Sequence, residues 1–213
     1  MFVKVCGLST PESVREAVAA GADAVGFVLT ASPRVVSPSQ ASALLAEVPE
    51  RVLPVGVFRD EPVVDAVAIA RAAGLEWIQL HGTRTRGDVA TVHDAGMKLV
   101  RAVTLDATPE ELADWGEDLL LIDAAVPGSG EAWDYGSVAG LPALQGRSWL
   151  LAGGLDPENV GKASAAARAW GVDVSSGVEA SRGVKDLAKV RAFVHAAKAS
   201  LPVPLRHQEL LYL

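Results

Sequence analysis

Short apolar runs and helical segments alternate along the whole chain. Phe2–Cys6, Ala24–Leu29, Val52–Phe58, Trp77–Leu80, Lys98–Val103, Leu119–Asp123, Ser148–Ala152 and Val172–Ser175 are β-branched or Leu-rich stretches of strand length. Between them lie Ala-rich segments that carry helix signals. Thr10-Pro11 and Ser37-Pro38 place a cap residue before a proline that tolerates the first helical position, and Gly21, Gly74 and Gly96 stand where helices stop. Helices are expected near Pro11–Ala20, Pro38–Glu47, Glu61–Ala73, Asp88–Ala95, Thr108–Asp114, Asp156–Ala169 and Lys185–Ser200, with a short one near Tyr135–Gly140.

Eight strands alternating with helices predict a parallel sheet with right-handed crossovers. The expected class is α/β, a single (β/α)8 barrel over residues 1–200. At 213 residues each unit has just enough chain for a strand, a helix and tight loops. A doubly wound open sheet is the rival, but it needs edge strands and no run is clearly more polar than the others. Residues 201–213 leave the pattern: Pro202 and Pro204 end the last helix, and Leu210-Leu211-Tyr212-Leu213 is apolar, a tail with no assigned role.

Composition narrows the partners. Half the residues are hydrophobic and 21% are charged, as in an ordinary globular protein. The net charge is −7, and no basic stripe or aromatic platform points to nucleic acid. No apolar run approaches the ~20 residues of a membrane span, and the N-terminus does not read as a signal peptide. Cys6 is the one cysteine, so an internal disulfide is excluded and a cytoplasmic location fits. His81, His93, His195 and His207 show no ligand spacing, and no metal is expected.

The chemistry is expected where strands end, at the C-terminal face of such a barrel. Strand seven runs into Gly153-Gly154 and strand eight into Ser175-Ser176-Gly177. Glycine lets backbone N–H groups approach an oxyanion, and paired turns of this kind after the last two strands suit a phosphate. Cys6 ends strand one. Lys4 shares its face, pointing into the barrel, while Val3 and Val5 face the helices. A buried ammonium needs a carboxylate, and Asp173 on strand eight, the neighbour of strand one in a closed barrel, is the candidate. A nearby cation favours thiolate, so Cys6 can serve as a base. Asp123 rises from the apolar end of strand six, where burial raises a carboxyl pKa and suits a general acid. Arg34 follows Ser32-Pro33 in the loop after strand two.

Lys4-Val5-Cys6-Gly7, Ser32-Pro33-Arg34, Gln79-Leu80-His81-Gly82, Leu151-Ala152-Gly153-Gly154-Leu155 and Gly171-Val172-Asp173-Val174-Ser175-Ser176-Gly177-Val178-Glu179, in this order and at strand ends, resemble the phosphoribosylanthranilate isomerase family of tryptophan biosynthesis. The resemblance covers residues 1 to about 198. It implies an Amadori rearrangement of a phosphorylated aminosugar without a cofactor, in a monomer or homodimer. The residue matching the family's base is Cys6, and the one matching its acid is Asp123. Arg34 matches the substrate-binding arginine, and Gly153, Gly154, Ser175, Ser176 and Gly177 match the phosphate turns. The loop after strand six departs from the family pattern. Pro127 stands for a glycine and Glu131 for a lysine, so a stiffer and less basic loop is expected. Other readings of the same features are a histidine-pathway or bifunctional aminoaldose isomerase, a Schiff-base aldolase, and a non-catalytic sugar-phosphate sensor. The cysteine at position 6 argues against the first, and the depth of Lys4 against the second.

Overall fold

The computed structural model describes residues 1–124 and 132–200. Eight parallel strands close into one barrel in sequence order: β1 (Phe2–Cys6), β2 (Ala24–Val28), β3 (Leu53–Phe58), β4 (Trp77–Leu80), β5 (Lys98–Thr104), β6 (Leu119–Asp123), β7 (Trp149–Leu151) and β8 (Gly171–Val174). Closure pairs β1 with β8 in a register that sets Lys4 opposite Asp173. Helices α1 (Pro11–Ala20), α2 (Pro38–Leu44), α3 (Val63–Ala72), α4 (Arg86–Asp94), α5 (Pro109–Leu112), α6 (Val160–Ala167) and α7 (Leu187–Ala199) surround it.

Strand alternation divides the core into two layers. Val3, Val5, Phe27, Ile78, Leu120, Ile122, Val172 and Val174 face outward and pack under the helices with Val14, Val67 and Phe193. Val55, Val100, Leu119, Leu121 and Leu150 face inward and fill the lower barrel, with Phe2, Trp77 and Trp170 closing its floor. One step higher, the inward positions include Lys4, Gln79 and Asp173, all buried, with Val28 and Val57 beside Cys6. Polar side chains therefore begin halfway up the barrel, above a dry plug that fixes the strands beneath them.

The start signals of the helices are real. Thr10, Ser37, Thr85 and Thr108 each cap a helix and exchange hydrogen bonds with the third residue beyond. Several boundaries differ from the sequence expectation by a few residues, and three of them have a clear local cause. Helix α3 begins at Val63 rather than Glu61, because Pro62 is its cap. Helix α6 begins at Val160 rather than Asp156. The Asp156 carboxylate accepts from the N–H groups of Glu158 and Asn159 and holds them in a turn. The last helix begins at Leu187, not Lys185, since Val184–Lys185 (β10) pairs antiparallel with Glu179–Ser181 (β9) in a small hairpin. That hairpin follows a 3-10 turn at Ser176–Val178 and sits on the rim beside β8.

No helix among the described residues is long and apolar enough to cross a membrane. Pro127, Glu131 and the tail 201–213 lie outside the described residues.

Candidate active site

A cavity of ≈ 260 Å³ opens at the C-terminal ends of the strands. Cys6, Arg34, Asp123, Gly153, Gly154, Asp173, Ser175 and Ser176 all line it. Lys4 and Gly177 do not. Lys4 lies below, and Gly177 lies behind the strand-eight turn.

The wall formed by β1 and β8 is built from ion pairs. Lys4 Nζ donates to Asp173 Oδ1 at 3.0 Å, and both side chains are buried. Burial pushes both toward their neutral forms. For Lys4 the attraction of Asp173 and Cys6 outweighs burial, and its pKa lies above the ordinary value. For Asp173 burial outweighs Lys4, and its pKa is raised as well. Asp173 is the carboxylate in contact with the ammonium, with Cys6 as its second side-chain partner, so the ionised pair is the form that satisfies it. Burial likewise pushes the Cys6 thiol up; the Lys4 and Lys185 ammoniums pull it down, and Asp173 raises it further.

Arg34 is not a loose surface arginine. Its Nε and Nη2 donate to the two carboxylate oxygens of Glu179 at 2.6 and 3.1 Å. Glu179 also accepts from Lys185 Nζ at 3.1 Å and from the Gly183 N–H at 3.0 Å. One edge of the guanidinium is thus fixed on β9, which leaves the Nη1 side for a ligand.

The β6 wall is different in kind. Asp123 accepts from the N–H of Ala124 at 2.8 Å and touches no cation among the described residues. Burial carries its pKa from 3.8 to about 6, against the pull of the Ala124 N–H, with Asp173 raising it and Lys4 and Arg59 lowering it. Gly153 is required beside it. With φ +82°, a Cβ there would lie 2.5 Å from the Ala124 nitrogen and 2.8 Å from the carboxylate of Asp123.

The two Gly-rich turns are held from behind. Trp133 Nε1 donates to the Ala152 carbonyl and Tyr135 Oη to the Gly153 carbonyl, at 3.2 and 3.1 Å. The backbone N–H groups of Gly153, Gly154 and Ser175 donate to no protein acceptor among the described residues, which is what an oxyanion site needs. Gly177 locks the two turns together. A Cβ there would lie 1.8 Å from the Leu155 carbonyl oxygen, so no other residue fits.

Four cavity or rim residues were not assigned from sequence. His81 and Arg59 line the cavity at the exits of β4 and β3, and Arg182 lines it from the β9–β10 hairpin. Lys185 stands behind Ser175. Alternation could have found two of them, since His81 continues the inward parity of Gln79 and Arg59 that of Val57. His81 is brought to about 3 by burial first and then by Lys4, Arg59 and Arg84, so it is neutral. Its Nε2 meets the side-chain amide of Gln79. Arg84 ties both exits together by donating to the carbonyls of His81, Glu61 and Arg59. Among the described residues no His, Cys, Asp or Glu cluster could hold a metal ion.

Comparison with known proteins agrees with this geometry. The sequence profile of N-(5'-phosphoribosyl)anthranilate (PRA) isomerase matches residues 3–196. The chain is 45% identical over 217 residues to N-(5'-phosphoribosyl)anthranilate isomerase of Paracoccus denitrificans, covering 94% of this chain and 98% of that one. It is 37% identical to the crystal structure of phosphoribosyl anthranilate isomerase from Thermus thermophilus, with a TM-score of 0.84 and coverage of 92% and 98%. A further isomerase, solved in complex with reduced 1-(o-carboxyphenylamino)-1-deoxyribulose 5-phosphate, is 33% identical with a TM-score of 0.80, and the match covers 93% of this chain and 98% of that one.

Proposed function

The chain belongs to the phosphoribosylanthranilate isomerase family, an aldose–ketose isomerase of tryptophan biosynthesis, and we propose that Asp123 and Cys6 divide its reaction as acid and base. The observation that carries this division is the placement of both on one cavity, with the Asp123 carboxyl brought by burial to about 6.

The substrate is an aminoaldose 5-phosphate with anthranilate on C1. Asp123 gives its proton to the furanose ring oxygen, the C1–O bond breaks, and an iminium forms between C1 and the anthranilate nitrogen. Cys6 as thiolate removes the C2 proton, and those electrons flow into the iminium to give an enolamine. The enolamine takes a proton at C1 and releases the one on the C2 hydroxyl, leaving the ketone. The proton count closes when the Cys6 thiol supplies the first and the Asp123 carboxylate accepts the second. The iminium is the electron sink, so the scheme calls on no cofactor.

Gly153, Gly154, Ser175, Ser176 and Gly177 form the phosphate turns in this reading, and anchoring the sugar at one end lowers the barrier by several kcal/mol through positioning. Arg34 takes the anthranilate carboxylate on the guanidinium edge that Glu179 leaves open. Lys4 and Asp173 support the base from below. The phosphorylated aminosugar is then the small-molecule partner, and the enzyme works in the cytoplasm as a monomer or homodimer.

The test is turnover beside binding. Asp123→Asn keeps the shape and removes the proton donor. Its turnover should collapse while a product analogue binds within a few-fold of wild type. A mutant that loses binding and keeps turnover at saturation would make Asp123 a binding residue instead.

A further inference from the structure

Among the described residues the β9–β10 hairpin is the one strand pair outside the barrel, and it delivers two charged side chains to the back of the β8 turn. Lys185 is buried, with its side chain 2% exposed. Its Nζ donates to the Ser175 carbonyl at 2.7 Å and to Glu179 at 3.1 Å. Glu179 is already occupied by Arg34 at 2.6 Å. One carboxylate therefore serves two buried cations.

The other charges around Cys6 are largely matched. On its own strand, Lys4 is held by Asp173 of β8. From the β2 loop, Arg34 is held by Glu179. At the exits of β3 and β4, Arg59 is half out in solvent and His81 is neutral. Across the mouth on β6, Asp123 is the remaining carboxyl, and Arg182 on the hairpin tip is exposed. Among the described residues around Cys6, Lys185 is the buried cation that has only a share of a carboxylate, the Glu179 already held by Arg34.

We infer that Lys185 is a positioning residue for proton abstraction: anchored on the Ser175 carbonyl and the shared Glu179, its ammonium supplies positive charge near Cys6, only partly offset by that shared carboxylate, that makes the thiolate accessible. The inference rests on Cys6 as the base. It is supported by geometry, since Lys185 Nζ lies 3.4 Å from Ser175 Oγ and a Cβ on Gly7, the residue after Cys6, would lie 3.2 Å from that same oxygen, and by the direction in which the charges act. Burial and Asp173 hold the thiol protonated, and Lys185 opposes them together with Lys4. Burial lowers the Lys185 pKa itself, and Glu179 and Cys6 counteract that. Its anchor on Ser175 also ties this charge to the turn proposed for the phosphate.

Cys6 is the chain's one cysteine, so its ionisation can be read as thiolate absorbance in the intact enzyme. Lys185→Gln keeps a donor for the Ser175 carbonyl and removes the charge. Its thiol midpoint should rise by about one pH unit or more, and kcat/KM near neutrality should fall roughly tenfold, in step with the thiolate fraction. Lys185→Arg should return both toward wild type, which a purely structural lysine would not require. If Lys185→Gln fails to fold, acetyl-lysine incorporated at position 185 keeps the stem and removes the charge, and the same rise is expected. A thiol midpoint that stays at the wild-type value in either charge-free protein overturns the inference. A midpoint that moves without any change in kcat/KM upholds the charge effect and removes Cys6 from the role of base, so the two failures are told apart.

Discussion

Two walls of one cavity carry the groups proposed as its base and its acid, and they are built on opposite plans. The β1–β8 wall around Cys6 is dense with charge: Lys4 on Asp173, and Arg34 and Lys185 on Glu179. Among the described residues, the β6 wall holds one carboxyl with a single backbone donor and no cation in contact. A base must surrender a proton beforehand and needs positive charge near it. An acid must keep its proton close to neutral pH and needs the lack of it. The same burial serves both walls. What differs is whether an ammonium is placed in contact, and that is decided by residues on neighbouring strands rather than by the reactive group.

The contrast predicts opposite responses to the same chemical change. Asp173→Asn removes the charge that holds Lys4 and leaves a buried cation unmatched. Stability should fall by about 3–5 kcal/mol in denaturant unfolding. A loss under about 1 kcal/mol would mean that water or Cys6 can take over the ammonium.

Next in size is the base. Cys6→Ser is nearly isosteric and should fold, yet lose roughly 10² or more in turnover, since a hydroxyl is a far poorer base. Near-native turnover would remove Cys6 from the mechanism.

Asp123→Asn should stabilise the fold where Asp173→Asn destabilises it. The folded carboxyl keeps its proton to about 6 and the unfolded one only to 3.8. Between those values the folded state binds more protons, so stability falls as pH rises through the window. At neutral pH the ionised, buried carboxylate costs about 2–3 kcal/mol, which asparagine does not. The variant should gain that much near neutrality, and the gain should vanish below about pH 4. Thermal unfolding at the two pH values reads it directly.

Smallest is Arg34→Met, which should weaken binding of a carboxylate-bearing product analogue by about 2 kcal/mol. It should also lose most of its preference over an analogue lacking that group. A preference that survives intact would show that another cation reads the carboxylate.

Much of this arrangement can be read in the chain before any coordinates. The alternation of apolar runs with capped helices leads to the barrel, and barrel closure with inward parity leads from Lys4 to Asp173. Asp123 at an apolar strand end already implies a raised pKa. The hairpin is not legible in the same way. Glu179–Ser181 and Val184–Lys185 are short and polar, and their pairing is irregular, so no period of two shows. Its absence from the reading hid Lys185 inside an expected helix. It also hid the pairing of Arg34 with Glu179, 145 positions away, which no local pattern encodes. His81 and Arg59 were within reach of the alternation but lie one residue past their strands, where the periodic signal ends.

The claim at the centre is that burial, as the largest cause, holds Asp123 as a proton donor near neutral pH. An NMR titration of its side-chain carboxyl carbon in the free enzyme, run beside the pH dependence of kcat/KM, tests this most directly. The carboxyl should titrate at about 6. Because the proton donor is lost above that pH, the slope of log kcat/KM against pH should drop by about one unit as pH rises through the same value, and this break should be absent in Asp123→Asn. A carboxyl that titrates in the ordinary range near 4, or a break near 6 that persists unchanged in Asp123→Asn, would contradict the account.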